Sequence, residues 1–194
     1  STEFPVILVD ADDNPGSGAA GDSADVIRLL QSRGVQGACI GPLWDPLAVR
    51  FCFDAGIGAR LRLRIGGKVG VDSGAPLDVT ADVLALARDH HQQLGDIQAP
   101  LGDSAAIAFD GLEVVLTSVR DQAYDPSLFH GLGIDCAARR WIVLKSMQQF
   151  HIGFDAVSPR VHVLRRAAPA AAPVRARRPM WPYDDPPELP AARP

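Results

Sequence analysis

The segment from Pro5 to Arg33 constrains this chain more than any other. Val6-Ile7-Leu8-Val9 is a continuous apolar run, too short for a helix and typical of a strand buried on both faces of a sheet. A loop rich in Gly and Asp follows, from Asp10 to Ser23. Ala24 to Arg33 is then amphipathic, with Val26, Ile27 and Leu30 on one face. Asp22-Ser23 offers the helix an N-cap and Gly34 a stop. A buried strand feeding a helix through a loop is the start of an α/β sheet with parallel strands.

The same alternation continues. Val35 to Ile40 predicts a second buried strand, ended by Gly41-Pro42, and Asp45-Pro46 opens a second helix that runs to about Ala55. Ala59 to Ile65 alternates strictly, placing Leu61, Leu63 and Ile65 on one face and Arg60, Arg62 and Arg64 on the other, as in a strand with one wet face. Leu77 to Ala87 fits either a helix or a strand, and the polar stretch Arg88 to Gln98, with His90-His91, predicts an exposed loop. Ala105 to Phe109 and Leu112 to Ser118 flank Asp110-Gly111, a two-residue hairpin signal. Trp141 to Leu144 and Val161 to Leu164 predict further strands, with a short helix over Met147 to Phe154 between them. The expected architecture is a three-layer α/β domain with a mixed, partly parallel sheet and an appended hairpin. It spans residues 1–164, followed by a Pro/Ala/Arg-rich tail, 165–194. In that tail Trp181 and Tyr183 are the residues best suited to dock on another surface.

Composition narrows the function classes. Lys plus Arg number 19 and Asp plus Glu 23, a net charge of −4, without the basic excess that binding a phosphate backbone requires. Nucleic acid is therefore not an expected partner. Neither is a membrane, since no stretch approaches the roughly 18 apolar residues of a span. The start Ser1-Thr2-Glu3-Phe4-Pro5 has no signal-peptide pattern and lacks an initiator Met, as expected of a domain cut from a longer chain. Cys39, Cys52 and Cys136 are odd in number and widely spaced, which fits a reducing, cytoplasmic compartment.

The Gly-rich loop is the most specific local feature. Gly16, Gly18 and Gly21 match the GxGxxG spacing of dinucleotide sites. However, the glycines begin several residues after the strand, and Asp10, Asp12, Asp13 and Asp22 crowd the place of the pyrophosphate. The second strand also lacks the acidic residue that would hold a ribose. An EF-hand fails at Pro15 and Gly21, and no Walker lysine follows the glycines. Two readings remain. The loop and helix start could hold a small anion through free N–H groups, or Asp13 and Asn14 could make side-chain turns while the glycines permit positive φ. No pair of histidines has metal-site spacing and no nucleophile signature occurs, so no catalytic residue and no metal ligand is expected in this chain. Arg120, Gln122 and Lys145 lie beyond strand ends, where an α/β sheet presents its site.

Several segments together resemble one family. Val9-Asp10-Ala11-Asp12-Asp13-Asn14-Pro15-Gly16-Ser17-Gly18-Ala19-Ala20-Gly21-Asp22-Ser23 resembles the D-x-x-D-N-P-G-G-G-x-x-G-D-S/T loop of the microcystinase C (MlrC) family. Gly41-Pro42-Leu43-Trp44-Asp45-Pro46, Ile65-Gly66-Gly67-Lys68 and Ser118-Val119-Arg120-Asp121-Gln122 resemble further motifs. So do Gly131-Leu132-Gly133-Ile134-Asp135, Lys145-Ser146 and Arg178-Pro179-Met180-Trp181-Pro182-Tyr183. The likeness is to the family's C-terminal domain. It implies a zinc-dependent peptidase or amidohydrolase whose metal ligands sit in an N-terminal domain, the partner of this one. The C-terminal domain would complete the cleft for a peptide or amide substrate. Asp13, Asn14, Gly16, Gly18, Gly21, Asp22, Arg120, Gln122 and Lys145 are its implied substrate-binding residues. Where the family pattern has a His, this chain has Gln149. The alternatives from other classes are a stand-alone module for small carboxylates or phosphates and a domain for homo-oligomerisation.

Overall fold

The computed structural model describes residues 5–165. The expected tail beyond Arg165, with Trp181 and Tyr183, lies outside the described residues. The strands are β1 (Val6–Asp10), β2 (Ala38–Trp44), β3 (Arg60–Ile65) and β4 (Leu77–Leu94). They are followed by β5 (Ile97–Phe109), β6 (Leu112–Thr117), β7 (Trp141–Leu144) and β8 (Val161–Leu164). The helices are α1 (Asp25–Ser32), α2 (Pro46–Ala55) and two single turns, α3 (Ser127–His130) and α4 (His151–Phe154). Among the described residues the strands form one sheet in the order β3-β4-β5-β6-β2-β7-β1-β8. From β6 to β8 neighbours are parallel; from β3 to β6 they are antiparallel. The mixed α/β architecture expected from the sequence is the one observed, although its antiparallel part is half the sheet.

Strand alternation divides the core into two layers. Ile40, Ile107, Val114, Leu116 and Val143 point to the side covered by Ile27 and Leu30 of α1 and by Ala48, Val49 and Cys52 of α2. Ile7, Val9, Val115, Ile142 and Leu144 point to the opposite side, against Leu128 and Phe129 of α3 and against Phe150 and Phe154. Side chains buried this completely contribute about 1.5–3 kcal/mol each. The residues on both sides of β1 and β7 are therefore strongly committed to the sheet centre. Leu63 and Ile65 of β3 face the α2 layer, whereas the Arg64 guanidinium pairs with Asp78 across the strands in solvent.

Four expectations need correction. First, β2 does not stop at Gly41-Pro42; the peptide there is cis and pairing with β6 resumes at Leu43 after a register shift. Second, the N-cap position of α1 is Ala24, which has no side-chain cap bond; of the expected pair, Ser23 Oγ accepts from Asp25 N (3.3 Å), whereas the Asp22 carboxylate turns to another segment. Third, the expected helix over 147–154 shrinks to α4. Fourth, beyond 77–87, where the strand is the one of the two readings observed, the polar 88–98 stretch is not an exposed loop. It is the continuation of β4 and its turn into β5. Register shifts around Ala87, His90 and His91 carry the outer half of this strand pair to the α3 side, where His90 and Gln92 are buried. Of its polar side chains, His90 and Gln92 turn inward, and the Gln92 amide finds partners in the Gln122 carbonyl and Tyr124 N.

His90 has a measurable consequence. Burial pushes its imidazole pKa below the ordinary value against the opposing pull of a 3.4 Å contact to the Ser127 carbonyl, while neighbouring His91 adds to the lowering. The unfolded chain therefore takes up this proton first, and stability falls as pH drops through the ordinary histidine value of about 6.5. Urea unfolding at neutral and mildly acidic pH should show this loss, and His90→Gln should flatten it. Equal slopes in the two proteins would contradict the assignment.

Candidate functional site

The loops that leave β1, β2, β6 and β7 meet at the carboxyl edge of the parallel half. At their centre is Lys145, the residue after β7, only 2% exposed. Its Nζ donates to Asp10 Oδ2 (3.0 Å), Asp13 Oδ2 (2.7 Å) and the Ser23 carbonyl (2.8 Å). An ammonium has three protons, and these acceptors use all of them. Burial alone would lower the Lys145 pKa, but the charges and hydrogen bonds of Asp10 and Asp13 prevail and raise it.

Asp13 also accepts from Gly21 N (2.9 Å) and Ser23 N (2.7 Å). The anion at the start of α1 is thus a side chain of the loop itself, in the place that the first of the two readings of this loop gave to a small ligand. Asn14 accepts from Gly16 N (3.0 Å) and caps the short turn Pro15–Ser17. A Cβ on Gly16 would strike the Gln122 amide, and one on Gly21, at φ +76°, would strike the Pro15 ring. The side-chain-turn reading of this loop describes what is observed.

A second network flanks the first. Asp22 Oδ2 accepts from Lys68 N (2.7 Å) and Val69 N (3.0 Å). Asp45 caps α2 through Ala48 N (3.0 Å), accepts from Gly66 N (2.9 Å) and pairs with Lys68 Nζ. These bonds fix the Gly-rich segment 66–74 beside the loop. The residues expected at the site from sequence did not include Asp45 or Lys68. Both stand in family-like motifs, but Asp45 already has an evident role as an N-cap. Gln122 is held from behind: Gln92 Nε2 donates to its carbonyl (2.7 Å) and Gln92 Oε1 accepts from Tyr124 N (3.0 Å).

Between the two networks opens a cavity of about 680 Å³. Gly18 to Ala20, Trp44 at the end of β2, the 69–73 segment and Arg120 line it, with Asp12 and Asp13 at one wall. Arg120 is exposed and anchored by one hydrogen bond to the Ala19 carbonyl (2.7 Å). Of the expected site residues, Asp13, Gly18 and Arg120 line the cavity. Asn14, Gly16, Gly21, Asp22, Gln122 and Lys145 form the frame behind that lining.

A metal does not fit this set of side chains. Among the described residues no three His, Cys, Asp or Glu side chains converge. The nearest acidic pair at the edge, Asp10 and Asp13, is bridged by the Lys145 cation. Burial, with the Asp45 charge adding, pushes the Cys52 thiol up to about 11, and burial chiefly does the same for Cys136. Neither is a ready thiolate ligand.

Lys145→Met leaves Asp10 and Asp13 buried together without their cation. It should cost about 3–5 kcal/mol in urea unfolding, and adding Asp13→Asn should recover part of that loss. Because the Lys145 pKa is raised, its contribution is complete below the ordinary lysine value and lost as pH rises through the folded value. That alkaline step should vanish in Lys145→Met.

Three comparisons place the chain. A family model described as MlrC C-terminus matches residues 8–179. Microcystinase C of a Sphingomonas species is 42% identical over 186 residues, covering 95% of this chain and 37% of that protein. A crystal structure titled "Putative metallopeptidase", from Mesorhizobium sp. BNC1, aligns with a TM-score of 0.74 and 25% identity, covering 84% of this chain and 33% of that one. The matches therefore span about a third of the length of these relatives. With that match running through the Gly-rich loop and both flanking networks, the chain belongs to the MlrC C-terminus family.

Proposed function

We propose that this chain is the C-terminal domain of an MlrC-like, zinc-dependent peptidase or amidohydrolase of the cytoplasm. It would form one wall of a substrate cleft whose metal is carried by an N-terminal domain. The observation that carries this reading is the 680 Å³ cavity at the sheet's carboxyl edge, walled by the same Gly-rich loop that carries the family likeness. Three free, buried cysteines support a reducing compartment. No helix among the described residues is long and apolar enough to cross a membrane.

In this reading the chain's residues bind and orient, and the hydrolytic chemistry belongs to the other domain. Arg120 has guanidinium N–H groups beyond the one spent on Ala19, suited to a substrate carboxylate or carbonyl. Gly18 at φ +91° keeps the loop free of side-chain bulk where a peptide backbone would pass. Trp44 and the apolar Val69 and Val71 line the same cavity and offer surface to an apolar group. Lys145, with all its protons used internally, acts as a positioning residue for Asp13 and the loop.

The 194-residue chain alone should bind no stoichiometric zinc and hydrolyse no peptide amide. In a polypeptide that also carries the metal domain, Arg120→Ala should raise KM for carboxylate-bearing peptides about tenfold with kcat little changed. Zinc retention together with amide hydrolysis by the isolated chain would overturn the proposal.

A further inference from the structure

One wall of the 680 Å³ cavity is built by two side chains that bridge the same pair of segments, the Gly-rich loop and the exit of β6. Trp44 N donates to the Gly21 carbonyl (3.0 Å), and the Trp44 indole Nε1 donates to the Ser118 carbonyl (3.0 Å). Arg120 donates through one guanidinium nitrogen to the Ala19 carbonyl (2.7 Å). The anchors are two residues apart on each segment, a step of about 7 Å along an extended chain. Indole and guanidinium therefore stand side by side, within reach of a single amino-acid residue of a ligand.

The two offer different chemistry. An indole has one donor, and that of Trp44 is used on Ser118, so the ring presents only carbon surface to the cavity. Being tied at both backbone and ring, it is ordered before any ligand arrives. Val69 and Val71, 56% and 97% exposed, add apolar surface to the same lining. Asp22 accepts from Val69 N (3.0 Å), so that surface is also presented from a fixed backbone. The other charged side chains of the lining are Asp12, Asp13 and Asp72. Asp13 is matched by Lys145, and Asp12 lies 3.5 Å from Arg165. Arg120 can match one carboxylate of a ligand, whereas a second anionic group would meet charge of its own sign.

We infer that the cavity selects the C-terminal residue of a peptide: the free carboxylate sits on Arg120, and an aromatic or large aliphatic side chain lies against Trp44 and Val71. Trp44 is then the specificity-determining residue, and the ligand class is peptides that end in a large apolar residue, with those ending in an acidic residue rejected. This inference rests on the substrate-binding reading given above and names what that wall binds.

The test is binding to the 194-residue chain itself, without metal or catalysis, by calorimetric titration. The probes are N-acetyl-alanyl-phenylalanine, its C-terminal amide, and two analogues that end in alanine and in glutamate. The wild-type chain should bind the phenylalanine acid with a Kd of about 1 mM or tighter. The amide and both analogues should bind about tenfold more weakly. Arg120→Ala should erase the preference for acid over amide while keeping that for phenylalanine over alanine, and Trp44→Leu should do the converse. Val71→Ser, at a site 97% exposed, should also reduce the phenylalanine preference, and it tests the apolar wall without touching the hydrogen bonds of Trp44. Unfolding midpoints check that the variants are folded. No saturable binding of the phenylalanine acid, equal affinity for the phenylalanine and alanine acids, or an acid preference that survives Arg120→Ala would overturn the inference. None of these outcomes bears on where the metal sits, which zinc retention and amide hydrolysis decide separately.

Discussion

The structure depends on one buried cation. Lys145 ties the end of β7 to the end of β1, to the Gly-rich loop and to the start of α1, and its three acceptors leave no ammonium proton for solvent. Placing a charge there is costly, and two carboxylates with a carbonyl offset that cost. Once Asp13 is held by Lys145, its other contacts follow. Gly21 N and Ser23 N converge on it, the loop folds over Pro15, and α1 begins in a defined direction. The cavity wall at Gly18 to Ala20 inherits its shape from this chain of constraints.

The two networks behind the cavity divide the work. The Lys145 network positions the loop from below, and the Asp22–Asp45–Lys68 network positions the 66–74 segment from the side. Gly66 lies where the two meet: its φ is +63°, and a Cβ there would strike the Asp22 carbonyl. Neither network presents unused charge to the cavity in bulk. The lining is rich in backbone and small residues, apolar at Trp44, Val69 and Val71, and its charged side chains are Asp12, Asp13, Asp72 and Arg120, a set that suits binding better than bond-breaking.

Much of this was legible in the residues, and the limits have physical causes. The alternation of Leu61, Leu63 and Ile65 with arginines can be satisfied only by a strand with one wet face, and Asp110-Gly111 only by a tight turn. The family likeness rests on local motifs, so it was legible too. Pairings between distant positions were not. Asp13 and Lys145 are 132 residues apart, and nothing local distinguishes a buried ammonium from one that awaits a substrate. Likewise His90 and Gln92 look solvated by composition, and only the bulged path of β4 shows that they face inward. Polar residues mislead wherever their partners are supplied by another segment.

The strand order sets a schedule for synthesis. β1, the first of the described strands to be made, sits between β7 and β8, the last two. β2 likewise needs β6 and β7 on its two sides. The antiparallel half pairs in succession from residue 60 to residue 117 and can form as it emerges. The parallel half cannot close until residue 164 has left the ribosome, so Val6 to Val9 remain an unpaired apolar run while everything between is made. A fold that keeps its earliest strand waiting for its last relies on whatever shields that run in the interval.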